Sequence, residues 1–213
     1  MAFPSTGLLD AFNRANENPL TGALGNGPIR VANPRLQIVT NQVTSVTASG
    51  EAYSTASYGP DAEAWCTVAT KPANGNAVDL AIRLVSPNTA GWNGYWLSAI
   101  AQVGTDTWEL YRVDANVFTK LGATVTGPEF ASGDKVGFSA VGSTLTGYVF
   151  QAGSWTLTIQ RTDATYGAAG PIGAQIDDLT GAIDDFSGGT VVVSAGGVLL
   201  NDPNTTLTLL RSY

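Results

Sequence analysis

The stretch AIDDFSGGT at residues 182–190 decides the fold. An apolar opening, an acidic pair, an aromatic of the core-filling kind and a Gly-Gly stop describe one strand that closes a β-domain. Near the other end, LLDAFNRA at residues 8–15 has a similar pattern, with Asp10 and Phe12 echoing Asp185 and Phe186. The echo predicts an opening and a closing strand lying side by side in one sheet.

Outward from these ends, the chain alternates with a period of two. In AVDLAIRLV (77–85) Val78, Leu80, Ile82 and Leu84 share one face, and Asp79, Ala81 and Arg83 take the other. Similar alternation marks 63–70, 94–103, 107–114, 135–141, 143–150 and 154–161, and LQIV and VTSV flank a hairpin turn at Thr40-Asn41-Gln42. Turn signals separate them, among them Pro72-Ala73-Asn74-Gly75-Asn76, Gly104-Thr105-Asp106 and Asp114-Ala115-Asn116. Strands every ten to fifteen residues with short turns predict an all-β, antiparallel two-sheet jelly-roll sandwich. Residues 15–35, rich in Asn, Pro and Gly, read as a long loop.

Composition narrows the chemistry. The 213 residues suffice for one large domain, and 44% hydrophobic against 13% charged residues excludes a disordered chain. The net charge of −7, from 10 basic and 17 acidic residues with no Lys/Arg cluster, argues against nucleic acid and against an anionic membrane surface. Cys66 is alone, so no intrachain disulfide forms, and it reads as a small buried apolar side chain. Histidine is absent, which removes Ser-His-Asp and Cys-His catalysis and His-ligated metals. The start MAFPSTG lacks a basic segment followed by an apolar core, so the expectation is a chain without a secretory signal, made and folded in a cytosol.

The opening DAFNRA, the series GYWLSAIAQVGTDTWELYRVD, the run GSTLTGYVF and the closing IDDFSGG together resemble concanavalin A-like (laminin-G-like) jelly-roll domains over residues 7–190. The short start and an apolar C-terminal arm look like tailed-bacteriophage structural proteins: minor tail, fibre or capsid decoration proteins. That resemblance implies two regions, a jelly-roll domain at 1–190 and an arm at 191–213. It also implies a non-enzymatic virion component whose jelly roll is displayed on the particle.

The arm carries Val198, Leu199, Leu200, Leu207, Leu209, Leu210 and Tyr213, too apolar to stay bare, so it is expected to anchor the chain to capsid or tail proteins or within a homo-oligomer. The alternative is a carbohydrate-binding module for host-surface glycans. Its candidate residues are Trp92, read as the exposed loop aromatic, with Tyr95, Arg83, Glu109 and Arg112; Trp96 and Trp108 are read as core. Glycoside hydrolysis ranks below both. The Glu-x-Asp-x-x-Glu strand motif of the fold's hydrolases is missing, with Asp61 and Glu63 coming nearest, and each of the pairs Asp177-Asp178 and Asp184-Asp185 offers at most one inward carboxylate. One Asp of a pair is expected to cap turn amides. A calcium site from Asp10, Asp177, Asp184 and Asp185 is a further expectation that the resemblance allows, and no other cofactor is expected.

Overall fold

The computed structural model describes residues 3–192. Two antiparallel sheets face each other. The first runs β13 (Ser154–Thr162), β12 (Thr144–Gln151), β11 (Lys135–Val141), β5 (Ala62–Thr70), β15 (Ala182–Thr190), β3 (Gln42–Ser45) and β2 (Leu36–Val39). The short β1 (Leu8–Asp10) joins the first sheet on β15. The second runs β10 (Val125–Thr126), β8 (Thr107–Asp114), β7 (Asn93–Ile100), β6 (Ala77–Val85), β14 (Gly173–Ile176) and β4 (Gly50–Tyr53), with β9 (Val117–Lys120) on β8. This is the expected all-β jelly-roll sandwich, with strand bounds within a few residues of those read from alternation.

The ends meet as expected. β1 pairs β15 with Leu8 opposite Ser187 and Asp10 opposite Phe186, and Phe12 and Phe186 are both fully buried in the main core. That core fills the space between the sheets with one side of each strand: Ala64, Cys66 and Val68 from β5, Val78, Leu80 and Ile82 from β6, and Tyr95, Leu97 and Ala99 from β7. Cys66 is a packed apolar group, its thiol pushed up to about 12 by burial. The Gly-Gly stop has a steric cause. Gly188 takes φ +149°, and a Cβ there would meet the Glu63 carbonyl oxygen of β5 at 2.4 Å, so only glycine lets β15 approach this closely.

Several pairings slip in register, and the slip in β6 moves a core residue. Arg83 adopts φ +52°, and the register with β7 slips between Ile82 and Val85. Leu84 therefore leaves the main core for a second apolar cluster with Ile29, Tyr53, Ala81, Trp92, Trp96 and Val113. A single bulge overturns the period-two reading for the last residues of β6.

Residues 193–213 lie outside the described residues. The expected arm and its anchoring side chains Val198, Leu199, Leu200, Leu207, Leu209, Leu210 and Tyr213 fall there.

Candidate functional site

The outward positions of the second sheet line up in register. Glu51 of β4 lies opposite Gln175 of β14, Gln175 opposite Asp79 of β6, Asp79 opposite Ser98 of β7, and Ser98 opposite Glu109 of β8. One polar row thus crosses five strands. Two residues along, Trp96 lies opposite Tyr111, and Phe118 of β9 stands edge-on to both at 5.6 and 5.8 Å. The middle of the row, Asp79, Ser98 and Gln175, and the aromatic wall border a cleft of about 320 Å³, within the size range of small-ligand sites.

The loop before β2 closes one side. Glu51 is fully buried, and its carboxylate accepts the Arg30 backbone N–H at 2.7 Å, the Asn33 Nδ2 at 2.7 Å and the Arg30 Nε. Held so, the Arg30 guanidinium also donates to the Gln175 side-chain oxygen and lies 5.6 Å from the ring centroids of Trp96 and Phe118. Gln175 donates in turn to Asp177, which also accepts the Ser49 hydroxyl at 3.2 Å. At the far margin Glu109 accepts Tyr111 Oη, Lys120 Nζ at 3.0 Å and Thr124 Oγ1. Burial alone would raise the Glu109 pKa; those hydrogen bonds outweigh it and hold it below the usual carboxylate value.

Asp79 is the anomaly of the floor. Its residue is 2% exposed, and its buried Oδ1 has no hydrogen-bond partner among the described residues. Burial drives its pKa well above the ordinary value and the Asp177 charge adds to this, against opposition from Ser98, Trp96 and Arg30. Asp177 is raised as well, first by burial and also by Asp178, while Ser49, Gln175 and Arg30 oppose.

A stability prediction follows from the sign. A carboxyl raised on folding binds more protons folded than unfolded, so its favourable contribution is whole below the unfolded value and drains away as pH rises through the folded one. Asp79→Asn keeps the shape without the buried charge. The variant is expected to melt with wild type near pH 4 and about 2–4 °C above it at pH 7, a gain of about 1 kcal/mol. Thermal melts at both pH values check this, and a lower melting temperature for the variant at pH 7 would contradict it.

The expected sugar-binding set does not assemble here. Trp92 is fully buried, donating to Asn116 Oδ1 at 2.8 Å and packing against Trp96, because its ring closes the second apolar cluster with Ile29 and Tyr53. Tyr95 faces inward, its hydroxyl donating to Asp163 at 2.7 Å. Arg83 is 1% exposed and donates to the carbonyls of Pro60, Gly142, Tyr166 and Ala140, a structural clamp between loops. Arg112 pairs with Asp114 at 2.7 Å and Asp163 at 3.1 Å on the other face of β8 from Tyr111. None of the five lines the cleft; Glu109 reaches it only through the Tyr111 hydroxyl that it accepts. Trp96, read as core, forms its wall, whereas Trp108 is core, donating to the Pro128 carbonyl.

The four aspartates of the expected calcium site do not come together as a set: Asp10, Asp184 and Asp185 are neighbours, and Asp177 is remote from them. Asp177 lines the cleft on the second sheet, while Asp10, Asp184 and Asp185 belong to β1 and β15 of the first. Asp10 accepts Arg14 Nη1 at 2.6 Å, Asp184 accepts its neighbour's N–H, and Asp185 accepts the Thr67 hydroxyl. Among the described residues no group of three or more His, Cys, Asp or Glu side chains comes together to hold a metal ion. Asp178 does cap a turn, accepting the N–H groups of Thr180 and Ala73.

No family model matches the chain, and no curated protein matches it. Among solved structures it is similar to a carbohydrate-binding module, CBM66, from Bacillus subtilis, at 18% identity and a TM-score of 0.59 over 74% of this chain and 92% of that one. The exoplasmic/lumenal domain of VIP36, in a Ca2+/Man2-bound form, aligns at 10% identity and a TM-score of 0.57 over 96% and 97%. A β-glucanase from Bacillus licheniformis aligns at 13% identity and a TM-score of 0.54 over 90% and 100%. At such identities the likeness establishes the fold: the chain carries the concanavalin A-like jelly roll shared by lectins, carbohydrate-binding modules and glucanases.

Proposed function

We propose that the protein binds saccharides in the cleft on the outer face of its second sheet. The supporting observation is the placement of the Tyr111 and Phe118 rings beside the hydrogen-bonding side chains of Asp79, Ser98, Gln175 and Asn33. A sugar ring offers apolar C–H faces and hydroxyl edges, and this wall and floor match both in one small volume. The carbohydrate-binding module and the mannose-bound domain among the similar structures favour the same reading.

The site reads as binding without catalysis. Asp61 and Glu63, nearest to the hydrolase strand motif, are engaged elsewhere: Asp61 with Arg83 and the Gly142 N–H, and Glu63 with the N–H groups of Ser5 and Thr6. The virion role, with its oligomer and its capsid or tail partners, rests on the arm at 191–213, almost all of it outside the described residues, and the similar structures supply nothing for it.

A glycan array probed with the full chain, followed by calorimetry on the strongest oligosaccharide, tests the reading. Tyr111→Ala is expected to weaken that affinity about 30-fold, or about 2 kcal/mol, with Tyr111→Phe keeping most of it. A wild-type chain that retains no glycan at all would overturn the proposal.

A further inference from the structure

The cleft's charges do not balance. Arg30 reaches in as a cation, but the buried Glu51 matches it. Lys120 is matched by Glu109 at 3.0 Å. The Tyr111 hydroxyl donates a hydrogen bond to Glu109 and stays neutral, its pKa raised first by burial and then by Glu109. β7 contributes only the uncharged Ser98 and Trp96. Among the described residues, Asp79 and Asp177 have no cationic partner in direct contact. Asp79 moreover lines the cleft and carries a buried oxygen with no hydrogen-bond partner among the described residues.

An unpartnered buried carboxyl costs free energy until something donates to it, and a cation is the strongest donor on offer. Aromatic faces beside it favour an ammonium further. A uronic or sialic carboxylate would instead meet two acidic groups with no free cation to offset them.

We propose that the cleft selects saccharides bearing a free, protonated amine, with the ammonium seated on Asp79 and Asp177. This deepens the saccharide reading above and rests on it. Burial raises the Asp79 pKa in the empty cleft, so any proton that the carboxyl carries goes to solvent as the ammonium seats, leaving a carboxylate–ammonium pair. Affinity for the amino sugar therefore rises with pH as Asp79 gives up its proton, over the range where the amine remains charged.

Titration calorimetry on the full chain compares three probes with one backbone: a β-1,4 glucosamine tetrasaccharide, its fully N-acetylated form, and cellotetraose. At about pH 6.5 the free-amine probe is expected to bind at least about tenfold more tightly than either neutral one, a difference of about 1.4 kcal/mol. Its heat should vary with the buffer's ionisation enthalpy, reporting the released proton. The advantage is expected to fall below about threefold near pH 4.5 and in Asp79→Asn at either pH, with Asp177→Asn in between. Neutral probes binding as tightly as the amine at pH 6.5 would overturn amine selection and leave saccharide binding standing. An amine advantage unchanged in both Asn variants would also overturn it, assigning the effect to the chain's overall charge of −7. If no probe binds and the glycan array is silent as well, the saccharide reading itself falls.

Discussion

Glu51→Ala is expected to lower the unfolding free energy by about 3–5 kcal/mol and to abolish saccharide binding in the same step. Glu51 is the buried post on which the loop before β2 is fixed, through the Arg30 backbone, the Arg30 guanidinium and Asn33. Alanine takes away every one of those acceptors and leaves the Arg30 charge beside Trp96 and Phe118 with only Gln175 for support. Arg30 is 24% exposed, so it can swing toward water, which places the cost nearer the low end. Urea unfolding measures the stability and calorimetry the affinity. A loss under about 1 kcal/mol would show that the loop is held by packing and not by this carboxylate. Glu51→Gln, which keeps an acceptor oxygen, is expected to fall between.

Phe186→Ala is expected to cost about 3–5 kcal/mol, the range for emptying an aromatic site in a closed core. Phe186 is fully buried where β15 lies between β5 and β1, so the void opens at the point where the chain's two ends are joined. The neighbouring strands are held by ladder hydrogen bonds and cannot collapse into it. Urea unfolding at constant slope reads the loss. A cost below about 1.5 kcal/mol would mean that the closing strand is secured by its backbone pairing alone, and the aromatic reading of 182–190 would be wrong.

Several features of the site were within reach of the residues taken in order, and others were not. Tyr95 and Leu97 face the core, so alternation alone puts Trp96 and Ser98 outward; reading Trp96 as core and Tyr95 as a ligand contact inverts the two faces of β7. Trp92 erred in the opposite direction. Flanked by Gly91 and Asn93 it has the local look of an exposed loop residue, yet Ile29 and Tyr53, distant in sequence, cover it. Arg30 and Asn33 sit in a stretch with no periodicity, where nothing local marks a charged group destined for a buried partner. Arg83 failed because a bulge with positive φ reversed its side.

Period-two hydrophobicity, turn residues and the matched Asp-x-Phe and Asp-Phe ends were enough to define an all-β sandwich whose first and last strands touch, because strand formation and facing are short-range properties of the chain. The absence of histidine likewise bounded the chemistry before any fold was known. The cleft is a different matter. Its floor of Asp79, Ser98 and Gln175 is the middle of a polar row that runs from Glu51 to Glu109 over five strands, and the order and register of those strands are set by long-range pairing that leaves no local trace. Only the assembled sheet brings Asp79, whose buried oxygen has no hydrogen-bond partner among the described residues, into one cleft with an aromatic wall, and that juxtaposition carries the proposed function.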